Sequence, residues 1–277
     1  MIIDNFQSSP ISYSTQEFSQ TPRIPEPLNS VELVALVSEM YSIAGPRIGA
    51  ILVEANNVLT IAGARGQTDF FIDNPTSEDT DVIERISAAM SSKGVWLIAD
   101  EVMERSGKDP FLMVSIQSAR GYERVSRLTQ IPGIHPFDST GGLEGIDEWK
   151  HKTFQNLEEE WLNGNIPYPK AELRDILAGV RKGYPDRAIY DATQWWGVND
   201  KKTPIAASDI KWVSKYGGAV PNFHFHPDHA NDPSIQETIE KWGEILRSFY
   251  EHPWHQELSK DPDFIAARLA MKNDGVV

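Results

Sequence analysis

The spacing of apolar residues constrains the fold of this chain more than any other feature of its sequence. In several segments, apolar side chains recur at every third or fourth residue, the spacing that places them on one face of an α-helix. The short apolar run Val95–Ala99 instead has the length and the β-branched content of a buried strand. The alternation of these two patterns predicts an α/β or α+β fold.

Residues 29–128 contain most of the predicted strands. Their predicted order of elements is α-β-β-α-β-α, arranged around a mixed sheet. The predicted elements are a helix from Ser30 to Gly45-Pro46, strands over 48–54 and 58–62, a helix over 76–93, the strand Val95–Ala99, and a helix from Asp109-Pro110 to about Leu128. Asn56-Asn57 lies between the first two strands and favours a tight turn, because asparagine tolerates left-handed backbone geometry.

Changes in composition divide the chain further. The predicted segments are an extended N-terminal arm (1–28), the α/β domain (29–128), a glycine-rich linker (129–145) and a mostly helical C-terminal domain with a few strands (146–277). The arm is rich in Ser, Gln, Thr and Pro, which is typical of a tail without a packed core. Its spaced apolar residues Ile11, Tyr13 and Phe18 also allow a second interpretation, in which the arm docks on a neighbouring subunit and builds a homo-oligomer.

Charge and hydropathy restrict the partners that we expect. The formal net charge is −14, from 26 basic and 40 acidic residues, so most of the surface repels a phosphate backbone and nucleic acid is an unlikely partner. The chain has no apolar run long enough to cross a membrane. Its first residues lack the basic and apolar regions of a signal peptide, so we expect a cytoplasmic protein. A small molecule or a peptide is the expected substrate class.

Histidines near the C-terminus form the most distinctive chemical feature. Five of the seven histidines lie between residues 224 and 255. Since residues two apart in a strand share a face, His224 and His226 are expected to point to one side, with Asp228 and His229 following in a turn as third and fourth ligands. The chain has no cysteine, so a metal here must use imidazole and carboxylate groups, a ligand set that suits zinc, iron, manganese or nickel more than calcium or magnesium. Zinc is the metal that we expect.

One stretch of the sequence resembles the signature of the JAMM metallopeptidases. The run His224-Phe225-His226-Pro227 is followed, after six residues, by Ser234-Ile235-Gln236-Glu237, with Glu237 in place of the aspartate that ends the family motif. The resemblance implies that His224, His226 and Glu237 bind zinc and that Ser234 supports the oxyanion. It also implies an upstream acid that activates water, for which this chain offers Asp186 or Asp191.

The same residues also have a structural interpretation. Ser234 and Glu237 fit a capping box at the start of a helix, and His252 and His255 fit the stabilising positions at a helix C-terminus. Two hypotheses therefore remain open. The first is a hydrolase that activates water on a divalent metal, or a non-haem iron site with Asp228 as its carboxylate. The second is a non-catalytic assembly subunit that docks through its N-terminal arm.

Overall fold

A computed structural model of the protein describes residues 23–103, 110–197, 205–206 and 223–273. Most of the predicted N-terminal arm, including its apolar residues Ile11, Tyr13 and Phe18, lies outside these ranges. The part that is described packs against the domain. Arg124 donates to the backbone oxygen of Pro25 at 2.8 Å, and Arg120 donates to that of Glu26 at 2.9 Å. The end of the arm is therefore held on the helix that carries both arginines.

The described residues form helices and short strands. In chain order they are α1 (Ser30–Leu52), α2 (Ala55–Ile61), β1 (Gln67–Asp73), α3 (Ser77–Met90), β2 (Val95–Met103), β3 (Phe111–Ser118), α4 (Ala119–Leu128), α5 (Gly142–Leu162), α6 (Leu173–Arg181), α7 (Asp186–Gly197), β4 (Ile205–Ala206), β5 (His224–Phe225), α8 (Pro233–Tyr250), α9 (Pro253–Leu258) and α10 (Pro262–Asn273). The mixed helix-and-strand class is therefore confirmed. None of the helices in the described ranges combines the length and the hydropathy that a membrane span requires.

The main sheet is antiparallel, with strand order β1-β3-β2. Val114 of β3 pairs with Phe70 of β1 and with Ala99 of β2, so β3 is the central strand. The prediction of a mixed sheet is wrong, because both pairings in this sheet are antiparallel. One face of the sheet is apolar and packs against α2 and α3, and α1 packs in turn on these two helices.

The two strands predicted at 48–54 and 58–62 are wrong. Residues 48–52 continue α1 beyond a kink at Gly45, whose φ of 68° is a left-handed conformation, and 55–61 form α2. Asn57 does not make a turn; its side chain donates to the backbone oxygen of Ile51 at 2.7 Å. Almost every residue of these runs is buried, so the sequence shows a continuous apolar stretch that does not distinguish a strand from an interior helix.

The helix predicted from Asp109-Pro110 to Leu128 is half wrong. Phe111–Ser118 is the central strand β3, and the helix α4 begins only at Ala119. β1 was not predicted at all. By contrast, α3 agrees with its prediction: Thr76 and Asp79 form a capping box at its start, and Gly94, with a φ of 72°, ends the short turn that follows it.

Two hydrophobic cores lie side by side. The first combines α1, α2, α3 and the sheet with side chains of α8 and α10, including Ile239, Phe249 and Phe264. The second contains the rings of Tyr122, Phe137 and Trp149, whose centroids lie 5.4–6.1 Å apart. Residues before and after the predicted linker contribute to both cores, and the linker itself contributes Ile131, Ile134 and Phe137.

A buried arginine lies where the two cores meet. Arg65 is 2% exposed, and its guanidinium lies 5.6 Å from the ring centroid of Tyr184 and 5.5 Å from that of Trp242. It also donates to the side-chain oxygen of Asn56. Burial lowers the pKa of Arg65, an effect that Tyr184 and Asp69 oppose. The cation therefore links α2, the segment before α7, and α8.

His255 occupies the first core as a neutral side chain. It is 7% exposed and lies among the rings of Phe249, Tyr250 and Phe264. Neither of its ring nitrogens has a hydrogen-bond partner. Burial lowers its pKa. His255 thus does not stabilise the C-terminus of α8 as predicted, because it lies in the last turn of the next helix, α9, and faces the core.

This environment predicts acid-sensitive stability. In the window below the pKa of the unfolded state, about 6.5, the unfolded chain binds a proton at His255 that the folded chain excludes. We therefore expect His255→Phe to lose less unfolding free energy than the wild type between about pH 7 and about pH 5, with one group contributing at most about 1.4 kcal/mol per pH unit. Urea unfolding at both pH values measures the difference. His151→Phe, at an exposed position on α5, is the control, and equal losses in wild type and His255→Phe would contradict the expectation.

Candidate functional site

The segment from Phe223 to Asp232 contains β5, leads into α8 and carries three of the histidines. Phe223 and Phe225 are each 1% exposed and fix the segment to the first core. His224 is exposed, and His226 is half-buried. The predicted strand is present, since His224 pairs with Ala206 in the two-stranded sheet of β4 and β5. After it, residues 227–229 form a single 3-10 turn.

Asp191 of α7 organises this segment. Its Oδ2 accepts a hydrogen bond from the backbone N–H of His226 at 2.9 Å. Nδ1 of His229 lies 2.8 Å from Oδ2 and 3.0 Å from Oδ1 of the same carboxylate. The side chain of Asp191 is only 9% exposed. A mostly buried carboxylate therefore fixes both the backbone at His226 and the ring of His229.

Arg187 lies one helical turn before Asp191 and completes the group. Its Nε is 3.5 Å from Asp191 Oδ1, and its terminal guanidinium nitrogen contacts Nε2 of His229. A carboxylate can only accept, and a guanidinium can only donate. Nδ1 of His229 must therefore carry the proton, and Nε2 must offer its lone pair. We call Arg187, Asp191 and His229 the Arg-Asp-His triad.

His226 and Asp228 have local roles beside the triad. Nδ1 of His226 accepts from the backbone N–H of Asp228 at 3.2 Å and lies 3.7 Å from its Oδ2. The ring of His226 is 5.4 Å from the ring of His229, measured between centroids. His226 thus caps the 3-10 turn and places its imidazole at the edge of the triad.

The predicted metal ligands are only partly brought together. His226, Asp228 and His229 are neighbours, but the described residues contain no group of three or more His, Asp or Glu side chains placed to hold a metal ion. Glu237 lies on α8 and pairs with Lys241 at 2.6 Å. Zinc binding at these residues stays a prediction, and the contacts of the described side chains do not supply a complete ligand set.

Ser234 and Glu237 do not form the predicted capping box. Asp232 is the N-cap of α8, and its Oδ1 accepts from the backbone N–H of Ser234 at 2.9 Å and from its hydroxyl at 2.6 Å. Hydrogen bonds to Ser234 are the main reason that the pKa of Asp232 is lowered. The pKa of Glu237 is lowered chiefly by its hydrogen bond to Lys241. Both predicted residues therefore have structural partners on α8.

Asp186 and Asp191 have different surroundings, although both lie on α7. Asp186 Oδ1 accepts from the Thr129 hydroxyl and Oδ2 from the backbone N–H of Gln130, each at 2.7 Å. Burial nevertheless raises the pKa of Asp186. Asp186, Ser234 and Glu237 line a common cleft, whereas Asp191 belongs to the triad.

Arg187 is not among the residues that the sequence predicts for the site. The available signal was its position four residues before Asp191 in an amphipathic segment, a spacing that brings side chains together on a helix. The role of Asp191 as an acid that activates metal-bound water stays a prediction. In the structure, Asp191 accepts from the backbone N–H of His226 and contacts Nδ1 of His229.

A scan against protein-family models finds no match for this chain, and comparisons with curated proteins and with solved structures find no similar protein.

Removing the charge of Asp191 tests this arrangement. In Asp191→Asn, one carboxylate oxygen becomes an N–H donor that faces the donors of His226 and His229. We expect a loss of about 1–3 kcal/mol in unfolding free energy, the cost of leaving a buried donor without an acceptor. Urea unfolding measures this loss, and ¹⁵N NMR of the imidazoles follows the tautomer of His229. Asp81→Asn, at an exposed position on α3, is the control. An unchanged tautomer and unchanged stability in Asp191→Asn would contradict the assignment.

Proposed function

We propose that this protein is a hydrolase in which His229 acts as the general acid–base, Asp191 positions it, and Arg187 binds an anionic group of the substrate. One observation carries the proposal. Asp191 holds Nδ1 of His229 while Nε2 faces the solvent-exposed guanidinium of Arg187. The side chain of Asp191 is nearly buried, whereas His229 is 28% exposed and Arg187 is 44% exposed. The nearly buried carboxylate of Asp191 thus positions a base, His229, that solvent can reach.

The neutral imidazole can activate water directly. Nε2 of His229 removes a proton from a water molecule, and the resulting hydroxide forms a bond to the acyl carbon of the substrate. The bond from that carbon to the leaving oxygen then breaks, and the imidazolium returns its proton to the leaving oxygen. The carboxylate of Asp191 stabilises the imidazolium that forms between the two steps.

Arg187 gives this centre a preference for anions. Its guanidinium already contacts Nε2, so the lone pair of Nε2 cannot accept a proton until the guanidinium moves away. A carboxylate on the substrate offers two acceptors for the guanidinium and is a stronger partner than a neutral imidazole. Binding of an anionic substrate would therefore draw Arg187 from Nε2 and release the lone pair that accepts the proton from water.

A metal-dependent hydrolase is the second candidate, and one observation favours it. Histidines that bind metals commonly donate their other ring N–H to a carboxylate, as His229 donates to Asp191, and the ring of His226 is close by. The positive charge of Arg187 beside Nε2 opposes a divalent cation at that atom. The contacts of the triad therefore support the metal-free proposal better.

A matched pair of chromogenic esters tests the proposal. p-Nitrophenyl hemisuccinate and p-nitrophenyl acetate have the same scissile bond, but only the first carries a carboxylate. After dialysis against EDTA, we expect the full chain to hydrolyse the hemisuccinate with the higher kcat/KM. His229→Gln should reduce both rates by roughly a hundredfold to ten-thousandfold, the usual contribution of a general base. Release of p-nitrophenolate gives the rates, and His151→Gln is the control for exposed imidazole.

Arg187→Met separates the two roles within the triad. Without the guanidinium, the preference for the hemisuccinate should disappear while hydrolysis of the acetate is retained or rises, because Nε2 is no longer engaged. Arg85→Met, at an exposed position on α3, is the control for a lost positive charge. Full activity of His229→Gln, or a wild type that hydrolyses neither ester, would overturn the proposal. Hydrolysis only after zinc is restored would favour the metal-dependent alternative.

A further inference from the structure

A cleft lies between α4, the segment before α7, and α8. Its volume is about 280 Å³. Its apolar wall is formed by Val125, Leu128, Val180, Trp242 and Ile245. Pockets that bind small molecules are mostly apolar with a few well-placed polar groups, and this volume suits a ligand with a single ring.

The two cations of the cleft already face acids. Arg124 donates to the backbone oxygen of Pro25 at 2.8 Å and lies 3.6 Å from Glu26. Lys241 pairs with Glu237 at 2.6 Å. The positive charges on the wall are therefore balanced within the described part of the chain.

Asp186 is the acid of the cleft that lacks such a partner. Its carboxyl group accepts from a hydroxyl and from a backbone N–H, and it forms no ion pair with any described residue. Each carboxylate oxygen keeps acceptor capacity beyond these two bonds. Because burial raises the pKa of Asp186, a cation bound beside it would stabilise its ionised form.

We propose that this cleft is a binding site for a small organic amine. The ammonium group of the ligand would contact Asp186, and its apolar body would pack on Leu128, Trp242 and Ile245. Such a ligand supplies the positive charge that the unpaired carboxyl group lacks and covers the apolar wall at the same time. An anion would instead meet Asp186 unfavourably, and a neutral hydrocarbon would leave its carboxyl group without a cation.

This site is separate from the Arg-Asp-His triad. Asp186 and Asp191 are five residues apart on α7, which turns their side chains by about 140° around the helix axis. Asp186 therefore faces α4 and α8, whereas Asp191 faces β5 and the 3-10 turn. Ligand binding in the cleft does not depend on the proposed hydrolysis.

Three probes of similar size test the proposal by isothermal titration calorimetry on the full chain. They are 2-phenylethylamine, which is a cation, 2-phenylethanol, which is neutral, and phenylacetate, which is an anion. We expect the amine to bind at least about tenfold more tightly than the alcohol, since an ion pair in a partly buried site adds to the shared apolar contact. Phenylacetate should bind most weakly.

Two variants locate the binding. Asp186→Asn should reduce the affinity for the amine to that for the alcohol, while the affinity for the alcohol stays unchanged. Ile245→Trp fills the cleft and should weaken both. Glu159→Gln, which removes an exposed acid on α5, should change neither, and it controls for attraction by the overall charge of −14. Circular dichroism checks that each variant is folded.

The results that would overturn the proposal are equally specific. Equal affinity of the wild type for the amine and the alcohol would remove the role of Asp186, as would an amine preference that survives in Asp186→Asn. Undiminished binding of the amine to Ile245→Trp would place it outside the cleft. Because Ile245 does not contribute to the triad, loss of binding in that variant with ester hydrolysis intact would separate this site from the proposed function.

Discussion

The buried guanidinium of Arg65 constrains the arrangement of the whole molecule. Removing a positive charge from water is unfavourable unless polar and aromatic groups surround it. Arg65 obtains these from Asn56 of α2, from Tyr184 before α7, and from Trp242 of α8. Because those groups are far apart in sequence, the charge is accommodated only when the first and last parts of the chain have packed together. That packing also sets where α7 begins, and so it places both the triad and the cleft.

Local patterns in the sequence predict an element correctly where residues within that element determine its geometry. Thr76 and Asp79 cap α3, and Gly94 ends the turn behind it, without help from distant residues. The patterns were insufficient at 48–62, since burial on all sides removes the alternation that separates a helix from a strand. The sequence does not indicate β1, because the polar residues Gln67 and Asp69 interrupt its apolar residues. In the structure, these two side chains share a hydrogen bond of 2.9 Å.

The candidate site was also only partly predictable from the sequence. The sequence indicates both Asp191 and His229 as parts of a metal centre, but no pattern in it pairs the two residues. Their contact depends on how α7 packs against β5, which no short motif encodes. Arg187 bears on the choice between the two proposed functions, because its positive charge beside Nε2 opposes a divalent cation at that atom. Ser234 and Glu237 match two positions of the JAMM motif. In the structure, both residues lie in the first turns of α8.

The short strand β5 and the residue on each side of it alternate between buried and accessible side chains. Phe223 and Phe225 point into the core, and the histidines at 224 and 226 alternate with them on the accessible side. Evolution can therefore exchange the exposed imidazole of His224 for other side chains while the anchoring rings remain. A segment built in this way is an adaptable platform, on which new specificities can arise with little penalty to the stability of the scaffold.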